Sequence, residues 1–494
     1  MQNRKVDIDI DEISHIHFVG IGGVSMSALA YFFLKRGARV SGSDIKENEA
    51  IEHLKALGAK IYLRHKGSNI VSALNLVVYS SAINKDNIEL IEARLKGVKI
   101  ISRGELLKHI SKKFESVIAI SGTHGKTTTT ALLSYILKKA NLNAFCLVGG
   151  GMKNKEIIKE GNKTNLIENQ CILPLKNAEI LKKSAVKSAE NYFEKFVQMG
   201  QKRMVYEACE YHENFLYTRN DFGVILNVER EHLDYFKEQK NHVAAYKKFA
   251  QNSSAIVCEK GLCSVLELDK LQKNKNVITV SLDKKDATFY AGEIKRLTSG
   301  GYAFNIYFEN KKFLSAVISI LGRHNIFNAL CAVAVAHFLG ADKKAISNAL
   351  CSFSGVEKRL EKIKEIDKCV LIRDYAHHPT EIDKTIKELK SFYGKNLLVI
   401  FEPHTYSRTL DLYDEFKDMI LKCNIDFILT PTYSAREDKE RGISAKELYT
   451  SIKDKKENLL YMSKNMAVRF AKKNAKLFSC IAFVGAGWEG KIRI

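Results

Sequence analysis

The strongest constraint on how this chain folds is the stretch SVIAISGTHGKTTTT at residues 116–130. An apolar run rich in β-branched residues leads into a loop with Gly122 and Gly125, and an amphipathic helical pattern, TALLSYILKKAN, follows. A strand, a glycine loop and a helix in this order present backbone N–H groups and a helix N-terminus to phosphate oxygens. The simpler alternative is a helix N-terminus that happens to carry a lysine. We therefore predict an α/β domain with a phosphate-binding loop.

The spacing within this loop distinguishes it from the P-loop of GTPases. A Walker A sequence has four residues between its glycines, whereas Gly122 and Gly125 have two residues between them. Lys126 can nonetheless reach the β- and γ-phosphates of a nucleotide, and the Thr127 hydroxyl can bind Mg²⁺.

Acidic residues and a histidine follow two further predicted strands. Glu207 and Glu210 end the strand RMVYEACE, and the next strand runs into NVEREHLD, which contains His232. Ligands of open α/β sheets collect at the carboxyl ends of the strands, and Mg²⁺ prefers oxygen ligands. Each of these residues alone is more often an ordinary surface acid or histidine. Around one phosphate loop, however, they predict a magnesium site.

Strand and helix patterns alternate along the whole chain, which predicts an α/β fold. The length of 494 residues is too great for one hydrophobic core. We expect three domains: a Rossmann-like domain at 1–113, a central P-loop-type ATPase domain with a mostly parallel sheet at 114–321, and a second Rossmann-like domain at 322–494. Residues 152–202 are rich in Lys, Asn and Glu, and we expect them to form an insertion-like surface excursion.

A second turn of nucleotide-binding type is predicted near the N-terminus, in GIGGVSMS. Gly20 and Gly22 fit a strand-to-helix turn, but Ser25 stands where a third glycine would complete GxGxxG. Asp44 ends the next strand, where an acid can hydrogen-bond a sugar hydroxyl. The residues leave three interpretations open: a dinucleotide cofactor, another nucleotide, or a purely structural turn.

The last third of the chain carries polar residues at two more predicted strand ends, in RDYAHHPTEI and FEPHTYSRT. Asp374, His377, His404 and Arg408 can converge with the phosphate loop across a domain cleft. The guanidinium of Arg408 suits carboxylate recognition because it can donate two parallel hydrogen bonds. Pro379 also fits a simple helix start, which leaves His377 available for another role.

Composition excludes several classes of function. The formal net charge is +22, but the lysines are spread along the chain with no arginine-rich tract, so we predict no nucleic-acid partner.

The apolar runs are too short for a membrane span, and the ten scattered cysteines predict reduced thiols. Because the N-terminal sequence has no signal-peptide core, we expect a cytoplasmic protein. The positive charge would help to attract anionic small molecules.

Eleven stretches, taken in order, resemble the Mur ligase family over nearly the full length of the chain. They are HFVGIGGVSMSALA, VSGSD, SSAI, GTHGKTTTT, EACEY, NVEREHLD, GRHNIFNA, FSGVEKRLE, DYAHHPTEI, PHTYSRT and the final GAG. Within the family, SSAI and EACEY resemble the members that join L-alanine to UDP-N-acetylmuramate. Two alternatives are a relative that attaches a whole tripeptide to the same UDP sugar and a non-catalytic paralogue.

The resemblance implies a three-domain, ATP-dependent ligase of the cytoplasmic stage of peptidoglycan synthesis. The first domain binds the UDP part of the substrate, the second binds ATP and Mg²⁺, and the third closes over both. ATP phosphorylates the muramoyl carboxylate, the amine of L-alanine attacks the acyl phosphate, and an amide, ADP and phosphate result. The implied partners are these small molecules, and we expect a monomer or a homodimer.

Site residues carry over from the family position by position. The resemblance assigns catalytic roles to Lys126, Glu207, His232 and Arg408, and magnesium binding to Thr127, Glu207 and His232. It assigns ATP binding to Gly122, Thr123, His124, Gly125, Lys126, Thr127, Thr128, Asn325, Asn328, Arg359 and Asp374. It assigns the UDP substrate to Gly20, Gly22, Gly23, Ser25, Asp44 and Ser80, and the amino acid and acyl group to Tyr375, His377, His404 and Arg408.

Several positions depart from the pattern of the family. Ser25 replaces a glycine, Glu231 replaces an aspartate, and Thr405 stands where many members have a second arginine. Residues 152–202 are longer than usual, and the chain ends in GAGWEGKIRI rather than GAGDI. These departures concern substrate affinity more than reaction class. Two unrelated interpretations fit less well: an NAD-dependent oxidoreductase leaves the Lys126 loop without a role, and a nucleic-acid-dependent ATPase needs an arginine-and-aromatic face.

Overall fold

The computed structural model describes most of the chain as three β-sheets with helices packed on them. The described residues are 8–153, 176–231, 233–270, 276–298, 300–434, 437, 439, 442–488 and 492. Short 3₁₀ turns lie at Ile10–Glu12, Gly67–Asn69, Tyr211–Leu216, Leu268–Lys270, Lys453–Lys455 and Ala475–Leu477. No helix in these ranges is long and apolar enough to cross a membrane.

The first sheet has five parallel strands and the strand order of a Rossmann fold. Its strands are β1 (His15–Val19), β2 (Arg39–Ser43), β3 (Lys60–Tyr62), β4 (Leu76–Tyr79) and β5 (Lys99–Ser102), in the order β3-β2-β1-β4-β5. Its helices are α1 (Val24–Lys35), α2 (Glu49–Ala56), α3 (Ile88–Leu95) and α4 (Arg103–Ser111). The apolar runs of β1 and β4 are buried, as expected for parallel strands covered on both faces.

The second sheet has ten strands and carries the phosphate loop. Its strands are β6 (Ser116–Ser121), β7 (Ala144–Leu147), β8 (Val197–Gln198), β9 (Arg203–Glu207), β10 (Asn220–Ile225), β11 (Ser253–Glu259), β12 (Asn276–Ser281), β13 (Phe289–Arg296), β14 (Tyr302–Phe308) and β15 (Lys311–Ile318). Their order is β15-β14-β13-β12-β11-β10-β6-β9-β7-β8. The strands from β7 through β9, β6, β10 and β11 to β12 are parallel, while β13–β15 form an antiparallel meander.

The helices of this central region are α5 (Lys126–Lys139), α6 (Lys176–Phe193), α7 (Leu233–Phe236), α8 (Gln239–Gln251), α9 (Leu262–Val265), α10 (His324–Phe338) and α11 (Lys343–Ser352). Helix α5 is buried over residues 127–137. It packs against α10, whose residues Ile326, Ala329 and Val333 are fully buried in the same hydrophobic core as Ile118 of β6. Helices α10 and α11 therefore belong with the central sheet. The division of the chain into domains stays a proposal, and this packing favours a second boundary near residue 357 over 321/322.

The third sheet has six strands, five of them parallel. They are β16 (Glu361–Ile366), β17 (Cys369–Asp374), β18 (Leu397–Phe401), β19 (Asp426–Leu429), β20 (Leu459–Tyr461) and β21 (Cys480–Val484), in the order β16-β17-β21-β18-β19-β20. Only β16, at one edge, is antiparallel to its neighbour. Its helices are α12 (Pro379–Tyr393), α13 (Tyr406–Asp411), α14 (Tyr413–Lys422), α15 (Ala445–Ile452) and α16 (Lys464–Asn474). Three α/β units with mostly parallel sheets confirm the predicted fold class.

Helix α6 packs on the first sheet's helices although it belongs to the stretch predicted to be a surface excursion. The Phe193 ring stacks on Tyr31 of α1 with centroids 4.9 Å apart, and the Tyr192 ring lies 4.3 Å from His53 of α2. Phe193 is 1% exposed. The end of α6 is therefore part of the core between the first two sheets, and residues 154–175 of the same stretch lie outside the described residues.

Candidate active site

The phosphate loop joins β6 to α5 through two glycines in backbone conformations that other residues rarely adopt. The φ angle is +140° at Gly122 and +86° at Gly125. A Cβ at Gly125 would stand 2.7 Å from Oδ1 of Asn328, and a Cβ at Gly122 would stand 2.9 Å from the Leu226 side chain. No side chain caps the N-terminus of α5. Its first backbone N–H groups are therefore suited to bind an anion.

Lys126, the first residue of α5, folds back over this loop. Its Nζ donates to the carbonyl of Gly122 at 2.5 Å and to Oε2 of Glu210 at 3.1 Å. Burial alone would lower the pKa of Lys126, but the Glu210 carboxylate raises it above the ordinary value. Lys126 is therefore a partly buried cation placed directly at the phosphate loop.

Thr127 and Glu207 meet beside the loop, as the sequence predicts. The Thr127 hydroxyl donates to Oε2 of Glu207 at 3.1 Å, and the N–H of Gly149 donates to the other carboxylate oxygen at 2.5 Å. Burial raises the pKa of Glu207. A hydroxyl and a carboxylate are the hard oxygen donors that Mg²⁺ prefers, so these two residues fit the predicted ion. His232, the third predicted ligand, lies outside the described residues.

A cavity of about 340 Å³ opens beside the loop, between the second and third sheets. Eight of the eleven residues predicted to bind ATP line it: His124, Gly125, Thr127, Thr128, Asn325, Asn328, Arg359 and Asp374. The other three, Gly122, Thr123 and Lys126, lie on the same loop. The structure thus brings together residues of one predicted site that are far apart in the sequence.

Hydrogen bonds fix the polar side chains of this cavity. The Asn328 amide donates to Oδ1 of Asn325 at 2.9 Å, and the Asn325 amide donates to the Leu321 carbonyl at 2.6 Å. The Thr385 hydroxyl donates to Oδ2 of Asp374 at 2.5 Å, while burial raises the pKa of this aspartate. These side chains are oriented before any ligand binds.

Sequence reasoning missed part of the cavity wall. The missed lining residues include Glu259, Ser281, Leu282, Asp283, Phe327, Glu381 and Lys384. Several of them stand at or just after the carboxyl ends of β11 and β12, two strands that the sequence patterns did not single out. Recognising those strands would have found them, because ligands collect at that edge of the sheet.

A second cavity of about 200 Å³ contains two of the residues predicted to contact the amino acid and acyl group, His404 and Arg408. Arg408 donates through Nη2 to Oε1 of Glu231 at 2.6 Å, and its Nη1 lies 2.6 Å from Nδ1 of His404. The His377 ring lies 5.5 Å from the His404 ring and 5.4 Å from the Tyr375 ring. Burial lowers the pKa of His377 to about 4 and that of His404 to about 3, so both imidazoles are neutral at pH 7.

The residues predicted to bind the UDP substrate surround the turn between β1 and α1. The N–H of Gly22 donates to Oδ2 of the buried Asp44 at 2.9 Å, so this carboxylate closes the turn. Gly20 has a φ of +82°, and a Cβ there would lie 3.6 Å from Cβ of Ser80. Gly23 is the N-cap of α1.

An arginine that the sequence did not indicate lies at the same turn. Arg103 Nη1 donates to the hydroxyl of Ser25 at 3.2 Å, which brings a cation to the N-terminus of α1. This turn belongs to the first sheet, whereas the residues of the two cavities come from the second and third sheets.

Comparison with known proteins agrees with this architecture. Three family profiles match in order: the Mur ligase family catalytic domain at residues 15–115, the Mur ligase middle domain at 120–336, and the Mur ligase glutamate ligase domain at 358–487. The chain therefore belongs to the Mur ligase family, as the sequence motifs predict.

Its relatives within the family include proteins named UDP-N-acetylmuramate–L-alanine ligase. The one from Caldicellulosiruptor bescii is 37% identical over 475 residues, 95% of each chain, and the one from Caldanaerobacter subterraneus is 34% identical over 487 residues, 98% of this chain and 97% of the relative. A crystal structure of UDP-N-acetylmuramate-alanine ligase from Thermotoga maritima superposes with a TM-score of 0.73 at 25% identity, covering 97% of this chain and 96% of that one. A murein peptide ligase from Psychrobacter arcticus shares the fold, with a TM-score of 0.66 at 21% identity and 96% coverage of both chains.

Proposed function

We propose that this protein is an ATP-dependent ligase that joins L-alanine to UDP-N-acetylmuramate and releases ADP and phosphate. The observation that carries the proposal is the cavity at the phosphate loop, where eight residues predicted to bind ATP converge from two sheets. In a Mur ligase similar over its whole length to L-alanine ligases, such a cavity suits the activation of a carboxylate by ATP.

Lys126 supplies positive charge where negative charge moves in phosphoryl transfer. Its ammonium is held over the loop by the Gly122 carbonyl and Glu210, so little reorganisation is needed when phosphates bind. Preorganised cations of this kind stabilise a transferring phosphoryl group.

Thr127 and Glu207 would hold the magnesium ion, with His232 as the third proposed ligand. The ion would neutralise charge on the phosphates of the nucleotide. Glu210 does not belong to this set, because its carboxylate pairs with Lys126.

Arg408 would recognise a carboxylate or acyl phosphate in the second cavity. Its planar guanidinium can donate two hydrogen bonds to one such group. The neutral imidazoles of His377 and His404 add hydrogen-bonding groups to this wall without adding charge. The turn at Gly20–Gly23, with Arg103 nearby, would bind the UDP part of the substrate at a helix N-terminus.

Phosphate release measured with UDP-N-acetylmuramate, ATP and Mg²⁺, with and without L-alanine, tests the proposal. We expect release that requires L-alanine, and we expect Lys126→Ala to abolish it because the γ-phosphoryl group loses its cation. Lys138→Ala is the matched control, since Lys138 is an exposed residue in the last turn of the same helix and should leave the rate unchanged.

Other outcomes of this assay would select among the alternatives. Turnover with the tripeptide L-Ala-γ-D-Glu-meso-diaminopimelate but not with L-alanine would identify a tripeptide-adding ligase, which the named relatives do not favour. No phosphate release with either L-alanine or the tripeptide would indicate a non-catalytic paralogue. We also propose a cytoplasmic location and small-molecule partners only. We propose that the protein is a monomer or a homodimer, and size-exclusion chromatography with light scattering would distinguish these two states.

A further inference from the structure

The side chain of His124 bridges two carboxylates that come from different parts of the molecule. Its Nδ1 lies 3.0 Å from Oε1 of Glu381 in α12, and its Nε2 lies 3.3 Å from Oε2 of Glu229, which follows β10. The backbone of the loop is fixed separately by Asn227, whose side chain accepts from the His124 N–H at 2.8 Å and donates to its carbonyl at 3.0 Å. The imidazole is therefore not needed to hold the loop backbone in place.

The surroundings keep this imidazole positively charged. Burial alone would lower the pKa of His124, but Glu381 and then Glu229 raise it to about 9. At neutral pH the ring therefore carries a proton on both nitrogens and pairs with both carboxylates at once.

A metal ion explains this cluster less well than an ion pair does. His124, Glu229 and His378 have ligand atoms within 4.8 Å of one another, which is close enough to hold a metal. Nδ1 of His378, however, accepts from the Thr380 N–H at 3.3 Å, and its Nε2 contacts the Arg230 carbonyl at 3.2 Å. A metal ion bound here would have to break this helix cap and also displace the proton that His124 shares with Glu229.

Glu381 touches the acceptor side of the site with its other oxygen. Its Oε2 accepts from the backbone N–H groups of His377 at 3.1 Å and His378 at 3.4 Å, which closes a capping box at the N-terminus of α12. The His377 ring lies 5.5 Å from that of His404, which lines the second cavity. One carboxylate thus contacts the phosphate loop on one side and the segment carrying His377 on the other.

We propose that His124 and Glu381 are positioning residues that couple the phosphate loop to the acceptor site, so that a bound nucleotide fixes the backbone carrying His377. The chain of contacts runs from the loop through the His124 imidazolium to Glu381, and from Glu381 to the amide of His377. The inference rests on the ligase function proposed above, and it gives the histidine of this loop a role beyond contact with ATP.

A double-mutant cycle with His124→Gln and Glu381→Gln tests the coupling. Each variant keeps a polar side chain of similar size but removes the charge. We expect each to raise the KM for L-alanine by about fivefold or more, since coupling energies between sites usually correspond to at least that factor. Because both residues act through one contact, we expect the double variant to be no worse than the more affected single variant.

Calorimetric titration of each variant with a non-hydrolysable ATP analogue gives a readout that does not need turnover. We expect the dissociation constant for the nucleotide to change much less than the KM for L-alanine. Lys195→Gln is the matched control, because Lys195 pairs with Glu357 at 3.0 Å in a half-exposed ion pair outside both cavities. It should alter neither constant.

The outcomes separate this inference from the ligase function itself. If the wild-type protein turns over L-alanine but both variants keep its KM while binding nucleotide normally, the coupling is refuted and the ligase function stands. Effects that multiply in the double variant would also refute it, since the two residues would then act independently. If the wild-type protein shows no turnover, the ligase function is refuted. The coupling proposal is then refuted as well, because it depends on the ligase function.

Discussion

Replacing Gly125 by alanine would show whether the shape of the phosphate loop, and not only its charge, holds the nucleotide. The φ of Gly125 is +86°, a conformation that costs an L-residue about 1–2 kcal/mol. The added Cβ would also stand 2.7 Å from Oδ1 of Asn328. Asn328 is buried and donates to Asn325 at 2.9 Å, so moving it would sacrifice a hydrogen bond that contributes about 1 kcal/mol.

These two effects together amount to about 2–3 kcal/mol. The variant can relax by leaving the native loop geometry, but a nucleotide must then restore that geometry in order to bind. Since about 1.4 kcal/mol corresponds to a factor of ten, we expect the affinity for a non-hydrolysable ATP analogue with Mg²⁺ to fall by about 30-fold or more. Isothermal titration calorimetry measures this directly.

Gly37→Ala is the matched control for backbone strain. Gly37 has a φ of +82°, but a Cβ there would meet nothing within 4 Å. We expect this variant to lose about 1 kcal/mol of unfolding free energy in urea and to bind the nucleotide like the wild type. If Gly125→Ala also binds within about threefold of the wild type, the phosphate loop does not need its observed geometry, and our reasoning about the site is wrong.

Two further predictions concern stability. Burial alone would raise the pKa of Glu89, but contacts with groups that include His17 and Ser43 lower this pKa to about 2. The stability that the ionised Glu89 contributes is therefore full above its ordinary pKa near 4.5 and is lost as the pH falls toward 2. Urea unfolding at pH 5 and pH 3 should show this loss of stability in the wild type and a smaller loss in Glu89→Gln. Phe193→Ala should lower the free energy of unfolding by about 3–5 kcal/mol because Phe193 is 1% exposed. Val186→Ala is the control, and it should lower this free energy much less because Val186 is 36% exposed. Equal effects of the two variants in denaturant melts would contradict the packing of α6 on the first sheet.

Much of the fold could be predicted from the sequence because the central strands of parallel sheets are continuous apolar runs. SVIAI and CVLIRD are examples, and both form buried strands, β6 and β17. Strands β3, β8 and β20 span only three, two and three residues, which is too short for a period to be visible. Strand β16, EKIKEI, lies at a sheet edge and is mostly exposed, and its two isoleucines are three residues apart, so they do not give the alternation of a strand.

The candidate site could be predicted only where a motif carries the information. The roles of the loop residues Lys126 and Thr127 can be predicted because their chemistry follows from a local sequence pattern. The pairing of His124 with Glu381 cannot be predicted in this way, since it depends on how the third sheet is placed against the second. The contact between the Asp44 carboxylate and the Gly22 amide also depends on tertiary structure, while the hydrogen bond from Asp44 to a sugar stays a prediction.

Two of the departures from the family pattern, Glu231 and Thr405, lie beside Arg408, where the acceptor is expected to bind. Glu231, which replaces an aspartate, contacts Arg408 through both Nε at 3.3 Å and Nη2 at 2.6 Å, so it occupies one edge of the guanidinium. Thr405, which stands in place of an arginine, instead accepts from the Arg408 N–H at 3.3 Å as the N-cap of α13. An incoming carboxylate must therefore use the remaining donors of Arg408 or displace Glu231. We therefore expect these two changes to alter the affinity for the amino acid more than the chemistry at the phosphate loop, whose Lys126 and Thr127 match the family motif.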